Sequence, residues 1–110
     1  MSSNAFAPHG NTAVIDATST STATPIQVKG DIANATQRLI TNKGPNDAYL
    51  AWGMDTTLVC AIPTAGTPAN GLIIEAGAII SLSYPPNAYF AAVCASAQTA
   101  KLFITPGEGV

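Results

Sequence analysis

Residues 78–84 read Ala-Ile-Ile-Ser-Leu-Ser-Tyr and stop at Pro85-Pro86-Asn87. In an extended chain Ile80, Leu82 and Tyr84 point one way, while Ile79, Ser81 and Ser83 point the other. That period of two marks a strand with one buried face. The prolines end it, because proline has no N–H to give to a sheet ladder.

The chain on either side follows the same pattern. Upstream, residues 72–75 form a short apolar segment leading to a tight turn at Ala76-Gly77. Residues 63–71 hold Pro63, Gly66, Pro68 and Gly71, a composition for an exposed loop rather than a strand interior. Residues 56–62 read as a strand, and so do residues 48–52, with Ala48, Leu50 and Trp52 on one face. Residues 36–42 (Thr-Gln-Arg-Leu-Ile-Thr-Asn) are rich in β-branched side chains and end at the dense turn signal Lys43-Gly44-Pro45-Asn46-Asp47. Earlier still, Ile26 and Val28 alternate with Gln27 and Lys29. Downstream, the alanines of residues 88–95 favour helix, but Tyr89, Phe90, Val93 and the short length tip the segment to strand. Residues 100–105 close the series, with Leu102 and Ile104 facing one way.

Seven or eight strands about ten residues apart, joined by connections too short for a parallel crossover, predict an all-β chain. The expected architecture is a single antiparallel β-sandwich, jelly-roll or immunoglobulin-like, formed by residues 25–110. Residues 1–24 stand apart. Their Ala-Thr-Ser-Thr-Ser-Thr-Ala-Thr run at 17–24 has no period and too little apolar surface for a core. They are expected to form an extended N-terminal arm, with residues 12–16 as a short strand laid on another surface. On that reading, removing residues 1–24 leaves the fold intact and weakens attachment to a partner.

Composition narrows the function. Of 110 residues, four are Lys or Arg, six are Asp or Glu, and one is His, giving a net charge of −2. Scattered bases argue against nucleic acid as a partner, because phosphate binding needs clustered Lys and Arg. No apolar run approaches the roughly 20 residues of a membrane helix. The first ten residues carry neither a basic nor an apolar signal region, so synthesis in a cytoplasm is expected. A surface of Ala, Thr, Ser, Gly and Asn suits packing against another surface.

Groups for chemistry are few. His9 lies in the arm with no second ligand beside it, so no metal site and no catalytic triad is expected. The acids Asp16, Asp31, Asp47, Asp55, Glu75 and Glu108 show no spacing that pairs two carboxylates. Gly107 and Gly109 end the chain with no helix to follow, so they do not form a phosphate cradle. The chain is not expected to be an enzyme or to bind a cofactor. Cys60 and Cys94 read as buried thiols in a reducing compartment, with a disulfide between neighbouring strands as the alternative. Trp52 is read as core beside Leu50. The competing reading is an exposed indole that stacks on sugar rings, assisted by Tyr84 and Tyr89.

The order of features from Thr36 to Val110 resembles the small decoration, or cement, proteins of tailed-bacteriophage heads. The matching pieces are Arg38-Leu39-Ile40-Thr41-Asn42 with its Gly-Pro-Asn turn, and Ala48-Tyr49-Leu50-Ala51-Trp52-Gly53. They continue with the loop ending Asn70-Gly71-Leu72, the Ala76-Gly77 turn, Tyr89-Phe90-Ala91-Ala92-Val93, and Leu102-Phe103-Ile104-Thr105-Pro106-Gly107-Glu108-Gly109. The resemblance implies a β-sandwich subunit that forms dimers or trimers. It also implies a place on the capsid surface of a virion assembled in a bacterial host, clamping adjacent major capsid subunits. The alternatives are a tail, fibre or connector component of the virion, and a carbohydrate-binding β-sandwich.

Overall fold

The computed structural model describes residues 6–22, 24–32 and 35–108. It is all-β, with two antiparallel sheets packed face to face and no helix among the described residues. The strands are β1 (Ala7–Pro8), β2 (Ala13–Ala17), β3 (Ile26–Gln27), β4 (Gln37–Pro45) and β5 (Ala48–Gly53). They continue with β6 (Leu72–Ile74), β7 (Ile79–Ser83), β8 (Tyr89–Val93) and β9 (Ala100–Glu108).

The first sheet runs β9-β4-β7, with β1 and β2 sharing the outer side of β9. The second runs β3-β8-β5-β6. The pairings nest: β2 with β9, β3 with β8, β4 with β7 and β5 with β6. The chain is in effect one long hairpin, folded on itself so that β9 also meets β4 and β8 also meets β5.

Alternation explains the core. Ile15 from β2, Ile40 from β4, and Leu102 and Ile104 from β9 face Leu50, Ile74, Phe90 and Cys94 from the other sheet, all at most 2% exposed. Ala17, Ala48, Ala88, Ala92 and Ala100 fill the space between them. Each large aliphatic buried here contributes about 1.5–3 kcal/mol.

Described residues of the segment expected to be an arm run extended along the first sheet. β2 pairs with β9 from Ala13↔Ile104 to Ala17↔Ala100, and Ile15 and Ala17 enter the core. The polar tract beyond it also finds partners, two at β8 and its end and one in the segment that follows β5. The Cys94 N–H donates to Thr18 O at 2.7 Å, Ala92 N–H to Thr22 Oγ1 at 2.9 Å, and Cys60 N–H to Ser21 Oγ at 2.9 Å. The acceptors there are the Thr18 carbonyl and the small hydroxyls of Thr22 and Ser21.

Two strands outrun their expected ends. β4 passes through the predicted turn to Pro45 by way of a ladder irregularity between Asn42 and Pro45, with Gly44 at φ +77°. β9 continues through Pro106 and Gly107. The His9 N–H donates to Pro106 O at 2.8 Å, and proline returns no bond, so the His9 carbonyl accepts from Asp31 N–H at 3.1 Å. A side chain at 107 would overlap the Ala7 carbonyl and the Phe6 ring.

Residues 56–62 are a correction, because they form no strand. Their alternation is real, but Leu58, Cys60 and Ile62 pack onto Tyr49, Ala51, Ala91 and Val93 on the outer face of the second sheet. Asn70 holds the segment in place, accepting from Ala61 N–H and donating to Val59 O, each at 2.9 Å. A period of two records which side chains are covered, not what covers them.

Candidate interaction surfaces

The outer face of the second sheet is covered by this segment, whereas no described segment lies across the outer face of the first sheet. Cross-strand register sets Val14, Phe103, Thr41 and Ile79 in one row across four strands. Leu39, Thr105 and Ser81 form the next. Val14 is 43% and Ile79 66% exposed, while Phe103 and Leu39 are half-buried. Charge gathers at one end of this face, where Lys101 Nζ meets Asp16 Oδ1 at 2.7 Å. Lys43 adds a cation at that end, beside Thr41, Phe103, Thr12 and Thr105 around a shallow hollow of about 340 Å³. The rest of the face is apolar, hydroxyl-bearing or, at Gln37, an amide.

Trp52 corrects the expectation that it is core: it is 45% exposed. It has the inward parity of Leu50, but the ladder from β6 stops at Leu72↔Leu50, so no strand flanks Trp52 on that side. Its ring meets Tyr84 edge-on at 6.1 Å, and Tyr84 meets Phe90 at 4.9 Å. Leu72 and Met54 are also exposed. Burial pushes the Tyr84 hydroxyl above its ordinary range, against the pull of nearby Arg38. Tyr89 lies half-buried on β8, paired with Gly53 and Gln27.

Arg38 and Asn42, inward-facing on β4 with Ile40 between them, are both fully buried. Arg38 donates to five carbonyls: Val28, Ala35, Gln37, Pro85 and Pro86, at 2.9–3.2 Å. Its guanidinium carbon also lies 6.0 Å from the Phe90 ring centroid. Among the described residues no carboxylate neutralises it. Asn42 donates to Ile74 O and Asn46 O and accepts from Gly44 N–H. These two side chains tie loops and strands that carry few bonds of their own.

Titratable groups are spread out. His9 brings Nδ1 to 3.4 Å from Asp31 and Nε2 to 3.7 Å from Glu108. The two nitrogens face opposite ways, so these carboxylates do not converge on one ion. No group of His, Cys, Asp and Glu among the described residues has a metal-binding arrangement. Asp55 accepts from Thr57 N–H and Oγ1, which hold its carboxyl below the usual range. A groove of about 440 Å³ between residues 10–13 and 27–31 holds only Lys29 and Asp31 as charged groups.

Cys60 and Cys94 are free and buried on opposite sides of the second sheet, Cys60 in the outer cluster and Cys94 in the core. Burial pushes the Cys60 thiol from its ordinary 9.0 up to about 11. A thiol raised in the fold favours folding below its unfolded value, and that advantage fades as pH rises from 9.0 toward about 11. Neither thiol is expected to react with iodoacetamide at neutral pH until the chain unfolds. Mass spectrometry after native and denaturing labelling checks this, and rapid native alkylation would contradict it.

No family model matches the chain, and no curated protein or solved structure matches it either.

Proposed function

We propose that the protein is a jelly-roll subunit that binds the outside of a bacteriophage capsid, self-associates as a dimer or trimer, and clamps neighbouring major capsid subunits. The nested pairing supports the fold type. Counting β2 as the first of eight strands, the sheets run first-eighth-third-sixth and second-seventh-fourth-fifth, the order of a hairpin wrapped into a double-sheet jelly roll. The resemblance of the segments from Arg38 to Gly109 supports the virion setting.

The observation that carries the reading is the outer face of the first sheet. Val14, Phe103, Thr41 and Ile79 make an uncharged row, with Asp16, Lys101 and Lys43 confined to one side of it. Its centre therefore has little to desolvate when another protein covers it. A protein that binds only the assembled shell raises that shell's stability by mass action.

Virions lacking the protein are expected to break open at lower temperature, or on dilution into low salt, and to regain resistance when purified chain is added. Val14→Glu, on the exposed row, is expected to fold normally and to restore much less. Equal survival with and without the protein would sink the reading. Exposure of Trp52 against Tyr84 favours a second reading, a carbohydrate-binding surface. A glycan panel that leaves Trp52 fluorescence unquenched counts against it.

A further inference from the structure

Among the described residues β7 ends the first sheet with one side unpaired. Two hydrogen bonds set the phase of its ladder with β4: Tyr84 N–H to Thr36 O at 2.7 Å, and Asn42 N–H to Ala78 O at 3.0 Å. With the register Ile80↔Ile40 and Leu82↔Arg38, the even-numbered residues of β7 bond inward to β4. The N–H and C=O groups of Ile79, Ser81 and Ser83 therefore point outward, at spacings of about 7 Å along the strand.

The other edges are blunted in the ways sheet proteins use to prevent association. β2 carries Asp16, paired with Lys101. β3 and β1 are two residues each, with Pro8 in β1, and β6 is three. β7 has five residues, with no charge, no proline and no bulge.

We propose that β7 pairs antiparallel with β7 of a second copy of this chain, about a two-fold axis at Ser81. The self-association in the reading above is the only part of that reading on which this rests. The strand is self-complementary about its centre. Ser81 meets Ser81, Ile79 meets Ser83 and Ser83 meets Ile79 of the second copy, each pair exchanging both N–H···O bonds. A two-fold axis sets every residue near its own copy or its mirror position, so a charge near the axis would meet a like charge. β7 has none. On the core side, half-buried Ile80 and Leu82 meet their counterparts and close a seam that each copy leaves partly open. The outcome is one continuous sheet whose outer platform is doubled.

Sedimentation of the full chain, free of shells, tests this beside Ser81→Pro. Proline at 81 removes an outward N–H and leaves the bonds of Ile80 and Leu82 to β4 in place. The parent is expected at twice the chain mass and the variant at the chain mass, a twofold drop, with unchanged far-UV circular dichroism. Ser81→Lys sets like charges across the axis, is expected to give the same drop, and carries the test should the proline variant misfold. A monomeric or trimeric parent overturns the proposal, and so do variants that stay dimeric. Mass is read without shells and binding with them, so the two readings fail separately.

Discussion

Replacing Arg38 with Ala is expected to cost about 3–5 kcal/mol, because a buried acceptor left without its donor costs about 1–3 kcal/mol and several are left at once. The five carbonyls of Val28, Ala35, Gln37, Pro85 and Pro86 lose their donor together. The removed side chain also leaves a void against Phe90. A domain of this size has about 5–15 kcal/mol in total, so melting should fall by roughly 15–20 °C. Arg38→Lys keeps the charge but not the planar fork, and it is expected to recover only part of the loss. Thermal denaturation followed by circular dichroism reads the series. An Arg38→Ala protein melting within a few degrees of the parent would show that the carbonyls find other donors.

Deleting residues 1–17 is expected to abolish cooperative folding. The deletion strips β9 of the ladder that runs from Ala13↔Ile104 to Ala17↔Ala100 and takes Ile15 and Ala17 out of the core. Ile15→Ala alone is expected to cost about 2–5 kcal/mol as a core truncation. Val14→Thr, on the exposed side of the same strand, is expected to stay within about 0.5 kcal/mol of the parent. Near-ultraviolet circular dichroism and a melting curve distinguish these outcomes. A truncated chain with a sharp transition near the parent's would return β2 to the role of an arm.

That expectation runs opposite to the one drawn from sequence, and the cause is specific. The Ser/Thr run has no apolar period, so it reads as surplus to the body. Its value lies in hydroxyls that act as acceptors along β8 and the 54–71 segment, and in the five apolar-polar residues just before it. Arg38 was equally opaque. One arginine among β-branched neighbours looks like a solvated face, and only the convergence of two loops on β4 makes five carbonyls available to it. Ile80 and Leu82, Ile40, and Leu102 and Ile104 were legible, because burial of alternate side chains leaves a period in the chain itself.

The sequence by itself determined that the chain is all-β, where most of its strands lie, and which of their faces turn inward. It also showed how few charges there are to place. Those properties are local, set by alternation and by the turn chemistry of Gly and Pro. Tertiary structure alone decided which strand sits beside which. That placed β2 in the sheet, left Trp52 outside the last rung of β6, turned residues 56–62 into a cover, and put uncharged β7 at an open edge. Strand order depends on pairings between residues far apart in the chain, and no local period records them.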